Sequence, residues 1–180
     1  MERYVAFLRG MNLGNRRIKN DELRKNFESF DLAEVACFRA SGNVVFTVDG
    51  GSEEKLGERI EAGLEKALGY PVPVFLRSAI ELGEVAAEEP FEADRVAASK
   101  GKPQIAFLSA APKAAARKAA LAQASDDDLL VLRGRELYWL PSGGISESDL
   151  DLKQLEATLG PWTMRTKDTV EQISRRHLAA

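Results

Sequence analysis

One arrangement constrains this chain more than any other: a strand, helix, strand, strand, helix, strand order that runs once and then begins again after Pro103. Runs rich in β-branched or aromatic residues, bounded by turn formers, mark strands at residues 4–8, 34–38, 43–48 and 72–76 in the first pass. The second pass places them at residues 104–108, 129–132, 136–140 and 162–165. Two local echoes accompany the repeated order. Val5-Ala-Phe-Leu8 returns as Ile105-Ala-Phe-Leu108, and Leu64-Glu-Lys-Ala-Leu-Gly69 returns as Leu155-Glu-Ala-Thr-Leu-Gly160, each at the matching place in its half. Matches in the same order point to an internal duplication.

Helical periodicity fills the gaps. Leu23, Phe27 and Phe30 fall on one face at i, i+4, i+7 across residues 20–30, with Asn20 or Asp21 as the cap. Leu56, Ile60, Leu64 and Leu68 repeat the pattern between Ser52, a capping residue, and Gly69, a C′ residue. A short helix is expected at residues 79–87 and a terminal one from Asp168 to about Leu178. A β-α-β-β-α-β unit is the split βαβ, or ferredoxin-like, arrangement, with both helices on one face of an antiparallel sheet. We therefore expect an α+β chain of two tandem ferredoxin-like halves: residues 1–87, a linker loop at 88–103, and 104–180 with the terminal helix. Val5-Ala-Phe-Leu8, Val44-Val-Phe46 and Gln104-Ile-Ala-Phe-Leu108 are apolar on both faces. Each helix-free sheet face thus calls for a cover, either the other half or a second copy of the chain in a homo-oligomer.

At 180 residues and 44% hydrophobic, the chain is long and apolar enough for a sizeable core. Its apolar runs fall far short of the roughly 18 to 20 residues a membrane span needs, and no signal-peptide pattern precedes the first strand. A single cysteine, Cys37, excludes an internal disulfide. The expected location is cytoplasmic. A net charge of −3 argues against a protein whose whole surface is a nucleic-acid footprint, yet Arg9, Arg16, Arg17 and Lys19 lie in a stretch with no acid from Arg3 to Asn20.

That stretch is the candidate site. The first strand ends abruptly in Arg9-Gly-Met-Asn-Leu-Gly14, where Gly10 and Gly14 free the backbone to present N–H groups, and Arg9, Arg16 and Lys19 supply positive charge. Asn12 adds an amide. The connection Ser41-Gly42-Asn43 joins two strands, and in this fold it lies beside the first strand, so Ser41, Gly42 and Asn43 join the set. The expected ligand is a small anionic or phosphorylated molecule, or a protein partner. The same residues also admit a plain reading: glycines that satisfy turns, arginines solvated or paired with Asp21 and Glu22, and a hairpin closed by Gly42 and Asn43. The loop is neither a P-loop nor a dinucleotide fingerprint, since it lacks the Gly-Lys-Ser/Thr ending and the closer glycine spacing.

Arg9-Gly-Met-Asn-Leu-Gly14 after Tyr4-Val-Ala-Phe-Leu8, taken with Ser41-Gly-Asn-Val-Val-Phe46, resembles the bacterial family known as domain of unknown function 1697. The Glu89-Pro-Phe91 loop, the Leu159-Gly160 helix end and the segment from Arg165 to Val170 fall where that family has similar features. The resemblance implies a similar tandem architecture and carries no established activity. The chain departs from the family pattern at Asn15, where a second glycine is usual, and at Ala40, where glutamine is usual. It departs again at Arg165-Thr-Lys-Asp-Thr169 and at Gly144-Ile-Ser-Glu-Ser-Asp149.

Chemistry elsewhere is sparse. The one histidine, His177, sits beside Arg175 and Arg176 on the terminal helix, which leaves a Ser-His-Asp or Cys-His assembly without partners. Cys37 between Ala36 and Phe38 reads as a small buried hydrophobe. No His or Cys cluster has metal-ligand spacing, and Asp126, Asp127 and Asp128 read as a solvated turn; no metal and no cofactor is expected. A cofactor-independent enzyme using the basic loop to stabilise a developing anion is one alternative. Nucleic-acid binding through the basic loop and a sheet face is a second. It is disfavoured because the Lys/Arg-Gly-aromatic-Gly-aromatic core of RNA-recognition domains is missing.

Overall fold

The computed structural model describes residues 1–11, 14, 16–39 and 42–178. In chain order the elements are β1 (Glu2–Leu8), α1 (Asn20–Glu28), β2 (Ala33–Cys37), β3 (Asn43–Val48), α2 (Glu53–Leu68), β4 (Val74–Ser78) and α3 (Ala79–Ala87). There follow α4 (Ala93–Ala98), β5 (Gln104–Leu108), α5 (Ala114–Leu121), β6 (Asp128–Arg133), β7 (Glu136–Pro141), α6 (Leu152–Leu159), β8 (Trp162–Thr166) and α7 (Lys167–Ile173). The strands form two antiparallel four-stranded sheets, ordered β2-β3-β1-β4 and β6-β7-β5-β8. The chain is α+β, and contacts divide it into two compact units: Met1–Glu84 with the segment that begins at Ile173, and Val85–Gln172. This grouping differs from the division read from sequence. The span taken as a linker carries α4, and the last residues join the first unit.

In the first unit, α1 and α2 lie on one sheet face because their apolar stripes need it. Leu23 and Phe27 of α1 and Leu56, Ile60 and Leu64 of α2 form one core with Tyr4, Ala6, Leu8, Val44, Phe46, Val48 and Leu76. The alternate residues Val5, Phe7, Val45 and Phe75, on the other face, are buried as well. The ends of α2 follow from its sequence: Ser52 accepts the Lys55 N–H at 3.3 Å, and Gly69, at φ +79°, donates to the Glu65 carbonyl. α1 departs from expectation. It starts at Asn20 itself, and its N-cap residue Lys19 makes no side-chain cap bond. β4 also starts two residues later than expected, since Pro73 has no N–H to give a ladder and Val72 is buried in the loop before it.

The second unit repeats the plan. Ala120 of α5 and Leu155 and Leu159 of α6 pack with Ala106, Leu108, Leu130, Leu132, Leu137, Trp139 and Trp162. Register extends the repeat beyond the sequence echoes. Val5 pairs with Val45 and Arg77, whereas Ile105 pairs with Tyr138 and Arg165. The Leu8 N–H donates to the Gly42 carbonyl at 2.8 Å, and the Leu108 N–H to the Arg135 carbonyl at 2.9 Å. After each last strand a hydroxyl caps the next helix: the Glu81 N–H donates to Ser78 Oγ and the Thr169 N–H to Thr166 Oγ1, both at 3.2 Å. α7 ends at Ile173, and the chain continues as a π-helical turn over Ser174–Leu178.

Candidate anion-binding site

β1 runs out at Leu8, and three connections meet at that end of the first sheet. The Arg9 N–H donates to the Pro73 carbonyl at 3.0 Å, which ties the first loop to the approach of β4. The Gly42 carbonyl takes the Leu8 N–H, which ties it to the β2–β3 connection. Met11 and Ile18, both buried, anchor the loop into the helix-side core. Between these anchors, Gly10 (φ +74°) and Gly14 (φ +57°) adopt left-handed backbone, and a Cβ at either would meet nothing within 4 Å. The backbone there faces open space.

The candidate residues divide by what their side chains touch. The Arg16 guanidinium lies over the Tyr70 ring, 4.6 Å from its centroid. Lys19 is exposed at the start of α1, whose first turn carries Asp21 and Glu22. Arg9 is half-buried. Asn43 is fully buried; its Nδ2 donates to the Phe38 carbonyl at 2.9 Å and its own carbonyl accepts the Phe38 N–H at 2.9 Å. Its side-chain Nδ2 and its backbone carbonyl thus both close the hairpin. Gly42 (φ +72°) is packed tight: a Cβ there would stand 2.9 Å from Leu8 Cβ and 2.9 Å from Met11 Cγ. Asn12 and Ser41 lie outside the described residues.

Two further cations approach the same hairpin. The Arg39 guanidinium lies 5.4 Å from the Phe38 centroid and that of Arg176 5.7 Å from it. The His177 ring meets Phe38 edge-on at 5.9 Å. The terminal segment is pinned there by Arg3 Nη1, which donates to the His177 carbonyl at 2.9 Å, while Arg3 Nη2 pairs with Glu34 at 2.5 Å. Burial, and then the nearby charges of Arg176 and Arg3, pull the His177 pKa below its ordinary value. A signal for this convergence would have required knowing that residues 173 onward return to the first unit.

Other candidates are structural. Burial pushes the Cys37 thiol up to about 11, and its Sγ donates to the Asn20 carbonyl at 3.4 Å. Asp128, read from sequence as part of a solvated turn, is buried, and it accepts Trp139 Nε1 and Ser148 Oγ, both at 2.7 Å. Among the described residues no group of three or more His, Cys, Asp or Glu side chains could hold a metal ion. No helix among them is long and apolar enough to cross a membrane.

The molecule is thus an α+β protein of two units with matching strand orders, whose first unit displays a basic, glycine-containing loop and whose described residues include no metal-ligand cluster. It belongs to the family described as protein of unknown function DUF1697, whose model matches residues 1–138. The two N-terminal motifs and the Glu89-Pro-Phe91 loop lie inside that match, and the Leu159-Gly160 and Arg165 to Val170 features lie beyond it. Among solved structures the chain is similar to the conserved bacterial protein SP0830 from Streptococcus pneumoniae, at 20% identity with a TM-score of 0.70 over 97% of each chain. At that identity the likeness is one of fold. No curated protein matches the chain.

Proposed function

We propose that the chain is a cytoplasmic binding protein for a small phosphate-bearing ligand, held at the loop that leaves β1. One observation carries the reading: Gly10 and Gly14 both present left-handed backbone to open space, with Arg9 before them and Arg16 and Lys19 after. Such backbone can turn its N–H groups toward an anion at positions no side chain obstructs. Arg9 and Lys19 supply charge, and Arg16 is held in place by its stacking on Tyr70. Arg39 and Arg176 beside Phe38 add positive potential on the neighbouring hairpin. Gly42 and Asn43 shape that hairpin. The strand orders, with both helices on one face of each sheet, support the ferredoxin-like description of each unit.

The test is thermal unfolding of the whole chain in inorganic phosphate, pyrophosphate and a set of nucleotides, for the wild type and for Arg9→Ala. A ligand at a hundred times its Kd stabilises the native state by about 2.7 kcal/mol, a readily measured rise in Tm. The reading requires a rise in the wild type that Arg9→Ala abolishes. An equal rise in both proteins, or none in either, removes it.

A further inference from the structure

A cleft separate from the first loop lies in the second unit at the start of β6 and the end of β7. The two units follow the same order of elements except for α4 and a 3₁₀ turn at Ile145–Glu147, which have no counterpart in the first. α4 and the residues after it are fastened to the end of β7. Arg95 Nη2 donates to the Asp126 carbonyl at 2.8 Å, Ser99 Oγ donates to the Pro141 carbonyl, and the Lys100 N–H donates to the Ser142 carbonyl at 2.9 Å. The Gly101 N–H donates back to Ser99 Oγ at 2.9 Å, and a Cβ at Gly101 would fall 2.2 Å from the Gly143 carbonyl oxygen, so the two backbones meet where no side chain fits.

This fastening leaves a cleft of about 430 Å³ walled by Arg95, Ser99, Asp126, Asp127, Leu129 and Leu140. That volume is within the range of small-molecule sites, roughly 300 to 1,000 Å³. Its lining carries charges of both signs. Among the described residues Arg95 makes no ion pair with Asp126 or Asp127, and neither carboxylate pairs with another cation. Arg95 is instead fixed by a backbone carbonyl, which leaves its remaining N–H groups free of any carboxylate. Leu140 is buried and Leu129 half-buried, which gives the cleft an apolar wall.

Charges of both signs that do not pair with one another, beside an apolar wall, match one ligand chemistry. We propose that this cleft binds a free zwitterionic amino acid with an apolar side chain, its carboxylate on Arg95, its ammonium on Asp126 and Asp127, and its side chain against Leu129 and Leu140. Arg95 suits the carboxylate because a guanidinium offers several N–H donors in one plane.

Calorimetric titration of the whole chain with L-alanine, L-leucine and L-phenylalanine tests this, with leucinamide lacking the carboxylate charge and N-acetyl-leucine lacking the ammonium. The cleft should bind leucine or phenylalanine more tightly than alanine. Each blocked analogue should bind at least about tenfold more weakly than leucine, the factor for losing one charge-assisted hydrogen bond. Arg95→Gln should erase the preference for leucine over leucinamide, and the double change Asp126→Asn, Asp127→Asn should erase the preference over N-acetyl-leucine. Should Arg95→Gln loosen α4, as circular dichroism would reveal, the exposed aspartate pair alone decides the matter. No binding by any of the three amino acids, blocked analogues that bind as well as leucine, or preferences that survive in the variants would each overturn the proposal.

Discussion

Gly10 and Gly42 share nearly the same backbone conformation, at φ +74° and φ +72°, yet a methyl group has different consequences at each. At Gly10 the added Cβ meets open space, so Gly10→Ala pays only for left-handed backbone, about 1 to 2 kcal/mol. At Gly42 the methyl also strikes Leu8 and Met11, and overpacking adds about 1 to 3 kcal/mol. Urea unfolding of the two variants should rank Gly42→Ala as the more damaging; the reverse order would contradict the packing of the hairpin on the first loop. Cys37 makes a prediction in pH. Because burial raises its folded pKa from 9.0 to about 11, the protonated thiol's contribution to stability is present below pH 9.0 and is lost as pH rises toward 11. The wild type should lose stability across that window relative to Cys37→Ala, and alkylation by iodoacetamide should be slower than for a free thiol below it. Residue types were readable at these positions for Gly and Asn as turn formers, whereas Cys37, expected as a buried hydrophobe, is half-buried. That Asn43 would close the hairpin was readable too; that its partner is Phe38 was not, because that pairing is defined only once the hairpin closes.

At the scale of elements, legibility followed how local the determinants are. α2 was readable at both ends because its cap residues and its apolar stripe are adjacent in sequence. Ser52→Ala should cost about 1 kcal/mol by denaturant unfolding, the usual loss for a serine N-cap, and a negligible change would mean that the Lys55 N–H bond is not holding the helix start. α1 was misread by one cap because Asn20 and Asp21 look like capping residues, whereas the buried pair Leu23 and Phe27 sets where the helix must sit, and Lys19 falls at the cap by default. α4 went unread because six residues without a buried side chain leave no periodic signal. The duplication was visible in two short echoes, while the paired arginines Arg77 and Arg165 were not. Their equivalence is a matter of register against Val5 and Ile105, which no spacing within one strand reveals. The candidate site was half-legible for the same reason: the loop from Arg9 to Lys19 is local, and the approach of Arg39 and Arg176 to Phe38 is not.

For the molecule as a whole, the informative fact is that the chain comes back. After α7 the terminal segment belongs to the first unit, where Ile173 is fully buried, the His177 carbonyl accepts Arg3, and Phe38 is flanked by His177 and Arg176. Ending the chain after Gln172 removes these contacts together, and losing one buried isoleucine alone costs about 2 to 5 kcal/mol. Amide hydrogen exchange should show the loss as weakened protection in β1–β4 with β5–β8 little changed, since exchange reports stability unit by unit. Equal weakening of both sheets would mean that the segment is not a part of the first unit. The same comparison carries a pH signature from the only histidine in the chain. Its folded pKa is depressed, so the stability it contributes is present above pH 6.5 and is lost as pH falls through the folded value. The stability gap between the whole and the shortened chain should therefore narrow on acidification, and it should narrow less for His177→Gln, which keeps the carbonyl that binds Arg3 but has no proton to gain. A gap that widens in acid would mean that His177 is favoured in its charged form, and that neither its burial nor the guanidinium groups of Arg176 and Arg3 hold its pKa down.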